Sequence, residues 1–362
     1  MQLRDFRTYA RAEAHFGPGL TVLHGPNGAG KSNLLEALYF GCTGYSQRTR
    51  SERELVRFGA QATRVVVELS DGARRHELAV GFQPGSPKRM TADGAPVERL
   101  ADVQQRPLVS VFSPDRLELL KGTPALRRAH LDRLVAALWP ARVATRHDYS
   151  RALAQRNALI AGIRASRASR STLASWDAEL ARHAVELSAD RAGLVALLAE
   201  PFAQRASQLG LSGESHLEYR PRSKACDVEG FIAELQAQLP TDLNRGFSTY
   251  GPHRDELVIL RDGRELRSYG SQGEQRLALL ALLLAERFVL ACARTRVPLM
   301  LLDDVMSELD VTRRELLARE LRSAGQSVLA TTDLAHVPGS GDAEVTRLRI
   351  SPGAILGEAL AA

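Results

Sequence analysis

The chain has 362 residues, 44% of them hydrophobic and 25% charged, with a formal net charge of +6. These proportions exclude a disordered or fibrous chain and leave room for two domains around a substantial core. Its three cysteines, Cys42, Cys226 and Cys292, are widely separated and form no C-x-x-C pair, so neither a disulfide framework nor a zinc site is expected.

Met1 to Arg7 carries charges where an export signal needs an apolar stretch, so a cytoplasmic protein is expected. Leu20 to His24 reads as a short buried strand. It runs into Gly25 to Ser32, GPNGAGKS, which matches G-x-x-x-x-G-K-[ST] at every fixed position. Asn33 to Phe40 then reads as a helix. A strand, a glycine-rich turn and a helix N-terminus bring backbone N–H groups together on anionic oxygens, and the helix dipole favours negative charge there. Gly25, Asn27, Gly28, Gly30, Lys31, Ser32 and Asn33 are therefore the candidate contacts to ATP. Lys31 would reach the β- and γ-phosphates, and the Ser32 hydroxyl would ligate Mg2+. Four arginines follow the helix, at Arg48, Arg50, Arg53 and Arg57.

Strand patterns come next. Arg64 to Leu69 is rich in β-branched residues, and Ser70-Asp71-Gly72 signals a hairpin before Glu77 to Phe82. Asp93-Gly94 marks another turn, and Leu108 to Phe112 reads as a strand. From Pro124 the texture becomes helical. Leu131, Leu134 and Leu138 recur at helical spacing, as do Leu180, Leu187, Leu194 and Leu198. Pro140, the region of Gly162 and Gly210 to Gly213 mark breaks. Residues 124–240 are therefore expected to form an inserted all-helical arm. Between Ala125 and Arg182 it carries eleven arginines against four acids. This is either a polyanion footprint, with Arg127, Arg128, Arg151 and Arg156 as candidate DNA contacts, or a solvated face. Strand pattern returns at Glu256 to Leu260, with a turn at Asp262-Gly263. His253, Arg254 and Asp255 just before it suit either an interface or DNA contact, or a salt bridge within a turn. The longest apolar run, Leu277 to Ala285, is too short to span a bilayer, so no membrane partner is expected.

Pro298 to Leu302 is continuously apolar, as in a parallel strand buried on both faces. It ends in Asp303-Asp304. A carboxylate at the tip of such a strand, beside a phosphate loop, is the expected second anchor for Mg2+, which assigns Asp303 to the metal with Ser32.

Three further segments carry a family resemblance. Tyr269 to Arg276, YGSQGEQR, opens the helical stretch Leu277 to Ala293 and resembles the signature sequence of ABC-type ATPases. Ser307 to Asp310 resembles their D-loop, and Thr331 to Asp333 follows the apolar strand Gln326 to Ala330 at the switch-histidine position. Ser32 and Ser271 lie 239 residues apart, far wider than in transporter subunits, so a large insertion divides the nucleotide site between the two ends of the chain. That plan is similar to SMC-like repair ATPases. Phe112 to Gly122, Arg127 to Asp132 and Tyr250 to Asp255 resemble the RecF family within that group. The fold implied is α/β: an ABC-type ATPase head, built of a mixed P-loop sheet and an antiparallel β subdomain, from residues 1–123 and 241–362, with the helical arm at 124–240.

The resemblance also implies roles. Ser271, Gly273, Gln275 and Asp310 would join the ATP site, the signature acting on the partner subunit's nucleotide, so that an ATP-dependent homodimer encloses two nucleotides. Asp304 stands where the superfamily has a glutamate that positions the attacking water, and is one methylene shorter. Thr332 replaces the switch histidine. No glutamine follows the Leu108 to Phe112 strand, and Gln104 and Gln105 precede it. A slow ATPase used mainly as a switch is implied, with Arg48, Arg50, Arg53 and Arg57 as candidate couplers to DNA. The implied function is a recombination mediator on gapped and single-strand/double-strand junction DNA, working with RecR and RecO to load RecA. The competing readings are an ABC transporter ATPase subunit and a structural interaction module with vestigial ATP binding. His24 and His336 read as ordinary structural or surface histidines.

Overall fold

The computed structural model describes residues 1–70, 72, 74–294, 297–323 and 325–357. The chain forms two compact units, Met1–Arg116 with Thr295–Ala362, and Leu117–Arg294.

The first unit holds two sheets. One runs in the order Ala354–Gly357, Thr346–Ser351, Leu20–His24, Ser327–Thr331, Leu299–Asp303, Val109–Phe112. Its four inner pairings are parallel, and only the Ala354–Gly357 edge is antiparallel. Leu301 pairs with Val328 and with Val111, and Leu329 pairs with Val22. Their side chains and those of Met300 and Leu302 are buried, as central strands covered on both faces require. The second sheet is antiparallel, in the order Tyr9–Glu13, Gln2–Phe6, Thr63–Ser70, Arg75–Phe82, Arg89–Ala92, Ala95–Pro96. Asp71 of the expected hairpin turn lies outside the described residues.

Helix Lys31–Thr43 joins these sheets through one core. Leu34, Leu35, Leu38 and Phe40 share it with Leu3, Val65, Leu78 and Val80 of the antiparallel sheet and with Leu301, Val328 and Ala330 of the parallel one. Each such side chain contributes about 1.5–3 kcal/mol by leaving water. Gly41 sets how close the helix can come, because a Cβ there would press on the Val65 and Val67 methyl groups. The helix ends at Gly44, left-handed with φ 79°, whose N–H closes on the Phe40 carbonyl. The P-loop helix is thus clamped on both sides, which holds its N-terminus still.

The second unit contains helices Pro124–Leu138, Val143–Arg164, Leu173–Gln208, Val228–Arg245 and Gln272–Ala293. A three-stranded antiparallel sheet, ordered Arg264–Glu265, Glu256–Arg261, Ser215–Arg220, belongs with them. The expectation of an all-helical 124–240 arm is corrected here: Ser215–Arg220 is a strand, paired along its length with Glu256–Arg261. Its alternation of buried Ser215 and Leu217 with exposed His216 is the period of a half-covered strand. This unit also takes in 241–294, a stretch the sequence reading gave to the head. Tyr149, Ala152, Leu180, Ala184, Leu187, Phe231 and Leu235 form a core between three of the helices. No described helix is long and apolar enough to cross a membrane.

Candidate nucleotide site and signature segment

The strand Leu20–His24 delivers the chain into the loop, and three glycines shape it with φ of 153° at Gly25, 77° at Gly28 and 113° at Gly30. A Cβ at Gly25 would collide with the Ile350 carbonyl oxygen, so this position tolerates no side chain. At Gly28 a Cβ would meet nothing within 4 Å, and there the glycine serves conformation and leaves the mouth of the loop open. Gly30 is the N-cap of helix Lys31–Thr43 and, having no side chain, supplies no cap to the first-turn N–H groups. That is the donor arrangement that receives an anion. The Tyr9 hydroxyl donates to the Gly30 carbonyl oxygen at 3.0 Å and supports the loop from below.

The P-loop and the acidic strand tip meet. The Ser32 hydroxyl donates to Asp303 Oδ1 at 3.0 Å, across 271 residues of sequence. Lys31 is nearly buried, and its Nζ donates to the carbonyls of Gly25 and Pro26 at 2.7 and 2.9 Å. Burial lowers the Lys31 pKa, while the Asp304 and Asp303 charges oppose that shift. Burial raises the Asp303 pKa; the Ser32 hydrogen bond and the Arg48 and Lys31 charges pull it down, and Asp304 pushes it up. A hydroxyl beside a carboxylate that costs free energy to ionise suits a hard divalent cation. Mg2+ takes few protein oxygens and fills its octahedron with phosphate and water. No cluster of three or more His, Cys, Asp or Glu capable of holding a metal alone occurs among the described residues. Ser32 and Asp303 therefore fit a Mg2+ that arrives with a nucleotide.

Asp304 has φ 51°, a left-handed conformation that costs a non-glycine residue on the order of 1 kcal/mol. Its N–H is fixed to the Ala330 carbonyl at 3.1 Å, and its carbonyl accepts from the Ser307 hydroxyl at 3.0 Å. Its Oδ1 is buried with no hydrogen-bond partner among the described residues. Strain and an unsatisfied carboxylate oxygen together keep Asp304 a candidate for a chemical role.

A polar network behind the loop escaped the sequence reading. Buried Glu36 receives Arg7 bidentately at 2.9 Å and also accepts from Arg48 Nη1 at 3.3 Å and the Ser46 hydroxyl at 2.6 Å. Arg48 Nη1 also donates to Asn33 Oδ1 at 3.0 Å, and Asn33 Nδ2 donates to the Thr8 hydroxyl at 3.1 Å. Asn33 and Arg48 are thus tied together, with Arg7 and Thr8 presented by a left-handed turn at Asp5 and Arg7. No sequence period announces such a turn.

Among the later candidates, Asp310 caps helix Val311–Ser323: its Oδ1 accepts from the Arg313 N–H at 2.9 Å. Buried Thr331 accepts from the Asp333 N–H and donates to the Asp333 carbonyl, which closes the turn holding Thr332.

Ser271, Gly273 and Gln275 lie in the second unit. Ser271 is the N-cap of helix Gln272–Ala293, with Glu274 completing a capping box. Arg261 pairs with Glu274 and steadies the box. A Cβ at Gly273 would meet nothing within 4 Å, and Tyr269 is 70% exposed. Gln275 behaves differently from the expectation of a ligand contact. It is buried, and its Nε2 donates to the carbonyls of Leu266, Arg267 and Gly270. It pins the turn that presents Ser271.

The arm arginines sort into two kinds. Arg127 and Arg156 are corrections: both are buried. Arg127 forks onto Glu256 at 2.6 and 2.9 Å and caps the carbonyls of Leu120 and Gly122. Arg156, 0% exposed, donates to Asp177, Asp242 and the Ser248 hydroxyl at 2.7, 2.6 and 2.7 Å. A cation so enclosed cannot reach a phosphate. Arg128 is half-buried and donates to the Asp255 carbonyl, while Arg151 is exposed. The His253–Asp255 alternatives resolve towards structure. Asp255 is buried among Arg191, the Tyr219 hydroxyl and the Arg222 N–H. His253 Nδ1 bonds the Tyr149 hydroxyl at 2.7 Å, and burial lowers its pKa to about 4.

The RecF/RecN/SMC N terminal domain family matches residues 1–334. The DNA replication and repair protein RecF of Anaeromyxobacter sp. (strain Fw109-5) is 40% identical over 344 residues, covering 92% of this chain and 91% of that protein. The protein of the same name from Streptomyces avermitilis is 37% identical over 354 residues, covering 94% of each. Among solved structures, the recombination mediator protein RecF-ATP in the RecFOR pathway superposes with a TM-score of 0.86 at 26% identity, covering 99% of this chain and 96% of that one. An SMC head bound to the C-winged helix domain of ScpA shares the fold, with a TM-score of 0.61 at 16% identity, over 99% and 97% of the two chains.

Proposed function

This chain belongs to the RecF family of SMC-like, ABC-type ATPases, and from that premise we propose that it is an ATP-switched DNA-binding protein of recombinational repair. The observation that carries the reading is the Ser32–Asp303 hydrogen bond, which joins the phosphate loop to the acidic strand tip. Lys31 and the uncapped helix N-terminus would take the phosphates, and Ser32 with Asp303 would hold Mg2+. When bound, Mg2+ neutralises charge on the transferring phosphoryl group. Asp304 would orient the attacking water, its free Oδ1 being the acceptor available for that. Phosphoryl transfer depends on positioning, and a carboxylate one methylene short, with Thr332 in place of a histidine, supports slow turnover.

One polypeptide carries one P-loop and one signature. Ser271 and the Gln272–Ala293 N-terminus would act on the γ-phosphate held by a second copy, so ATP would close a homodimer around DNA. The relatives' names, a DNA replication and repair protein and a recombination mediator of the RecFOR pathway, support DNA as the substrate, and gapped or junction DNA would be its form. RecR and RecO would be the partners, and RecA loading the output. The test is binding of a gapped duplex with ATP, ADP and no nucleotide, with mass measured in parallel. Coupled gains in dimer and DNA affinity with ATP support the reading, and DNA affinity indifferent to nucleotide refutes it.

A further inference from the structure

The antiparallel sheet of the first unit places like charges where a sheet should avoid them. Arg4 on Gln2–Phe6 is in register with Arg11 on Tyr9–Glu13 and with Arg64 on Thr63–Ser70. Arg64 is in register with Gly81 on Arg75–Phe82, and Gly81 with Arg89 on Arg89–Ala92. Residues directly opposite across antiparallel strands project from the same face. Arg11, Arg4, Arg64 and Arg89 therefore stand in one line across five neighbouring strands, interrupted only by the bare backbone of Gly81. All four are exposed. The opposite face of the same strands, with Leu3, Val65 and Val80, is packed into the core.

None of the four makes an ion pair among the described residues, although other surface arginines of this unit, Arg57 with Asp5 and Arg99 with Asp102, are paired. The acids on the face, Glu13, Glu68 and Glu77, stand two or four residues further along their strands. Like charges directly opposite each other destabilise a sheet by tenths of a kcal/mol per pair, so local stability gives no reason for this line. At about 4.8 Å between strands it spans roughly 19 Å. A DNA strand offers one phosphate per about 3.4 Å of helix axis, so the line faces several consecutive phosphates.

We propose that this face is the phosphate-backbone footprint of the protein, with Arg11, Arg4, Arg64 and Arg89 each neutralising a DNA phosphate and Gly81 allowing the backbone to approach the sheet. The proposal rests on the DNA-binding reading above and moves its contacts from the buried arm arginines to the sheet. The shallow guanidinium line carries no groove-reading element, so binding through it is independent of base sequence.

The experiment uses the full chain with Arg4, Arg11, Arg64 and Arg89 all changed to Gln, and a fluorescent gapped duplex titrated with ATP from 50 to 300 mM salt. The slope of log K against log salt should shrink by about 0.9 per lost contact, and affinity near physiological salt should fall roughly 10²- to 10³-fold. ATP affinity should be unchanged. Arg64→Gln alone should keep or raise the melting temperature at low salt while weakening DNA binding, which separates lost contact from lost fold. Arg64→Lys should restore most of the slope. A quadruple variant with the wild-type slope overturns the footprint while leaving DNA binding intact. Loss of polyglutamate binding with DNA binding kept overturns it in favour of an acidic protein partner. Wild-type protein that binds no DNA with ATP overturns the functional reading itself.

Discussion

Replacing Arg156 separates two roles that a surface count of arginines would merge. The side chain is fully buried and gives its protons to Asp177, Asp242 and Ser248. Asp242 also caps the Thr249 N–H and hydroxyl at 2.8 and 2.7 Å, so it cannot turn away to water. Arg156→Met leaves two carboxylates, both less than a tenth exposed, without their cation. Breaking such a buried arrangement from one side costs about 3–5 kcal/mol. For a unit of this size that is a fall in melting temperature of roughly 10 °C. Thermal denaturation followed by circular dichroism gives the value, and Arg156→Met with Asp177→Asn and Asp242→Asn should recover part of it. Below the melting temperature the salt slope of DNA binding should match wild type. A variant of wild-type stability with a flattened salt slope would refute the burial argument and return Arg156 to the surface.

Lys31→Met should abolish ATP binding in an equilibrium assay, because the phosphates lose a buried cation; retained affinity would remove the P-loop assignment. Asp304→Asn should bind ATP, hydrolyse it far more slowly and accumulate as an ATP-bound dimer, whereas wild-type turnover would exclude Asp304 as the water-positioning group. His253 is held neutral, its pKa lowered from 6.5 to about 4. Its contribution to stability is therefore complete above pH 6.5 and is lost as pH falls towards 4, by about 3 kcal/mol in all. His253→Phe should flatten that part of the pH–stability curve, and an unchanged curve would refute the assignment.

The candidate nucleotide site is legible because each of its parts is local. Gly25 to Ser32 is a contiguous pattern, Leu299–Asp303 is an unbroken apolar strand, and the two need only a shared sheet to meet. Ser271 as an N-cap and Glu274 three residues later are likewise local chemistry. What stayed hidden depends on distant partners. Arg127 and Arg156 look like any exposed helical arginine until Glu256, 129 residues away, and Asp242, 86 residues away, close over them. Gln275 sits within the signature pattern, yet only the folded turn at Leu266–Gly270 shows that its amide faces inward. Ser215–Arg220 is six residues in a helical context, and its partner strand lies about forty residues on. The arginine line across the antiparallel sheet is a property of register, which no linear spacing carries.

In the proposed dimer the signature of one copy completes the ATP site of another, and Ser271→Arg separates that contact from ATP binding within each copy. Ser271 lies in a different compact unit from Lys31 and Asp303, so the P-loop of each copy is untouched. Loss of the cap costs its helix about 1 kcal/mol, too little to unfold it. ATP affinity by equilibrium binding and mass by light scattering are measured on the same sample. Wild-type ATP affinity with no ATP-induced dimer is the result this mechanism predicts. A Ser271→Arg protein that dimerises with ATP as wild type does would contradict it.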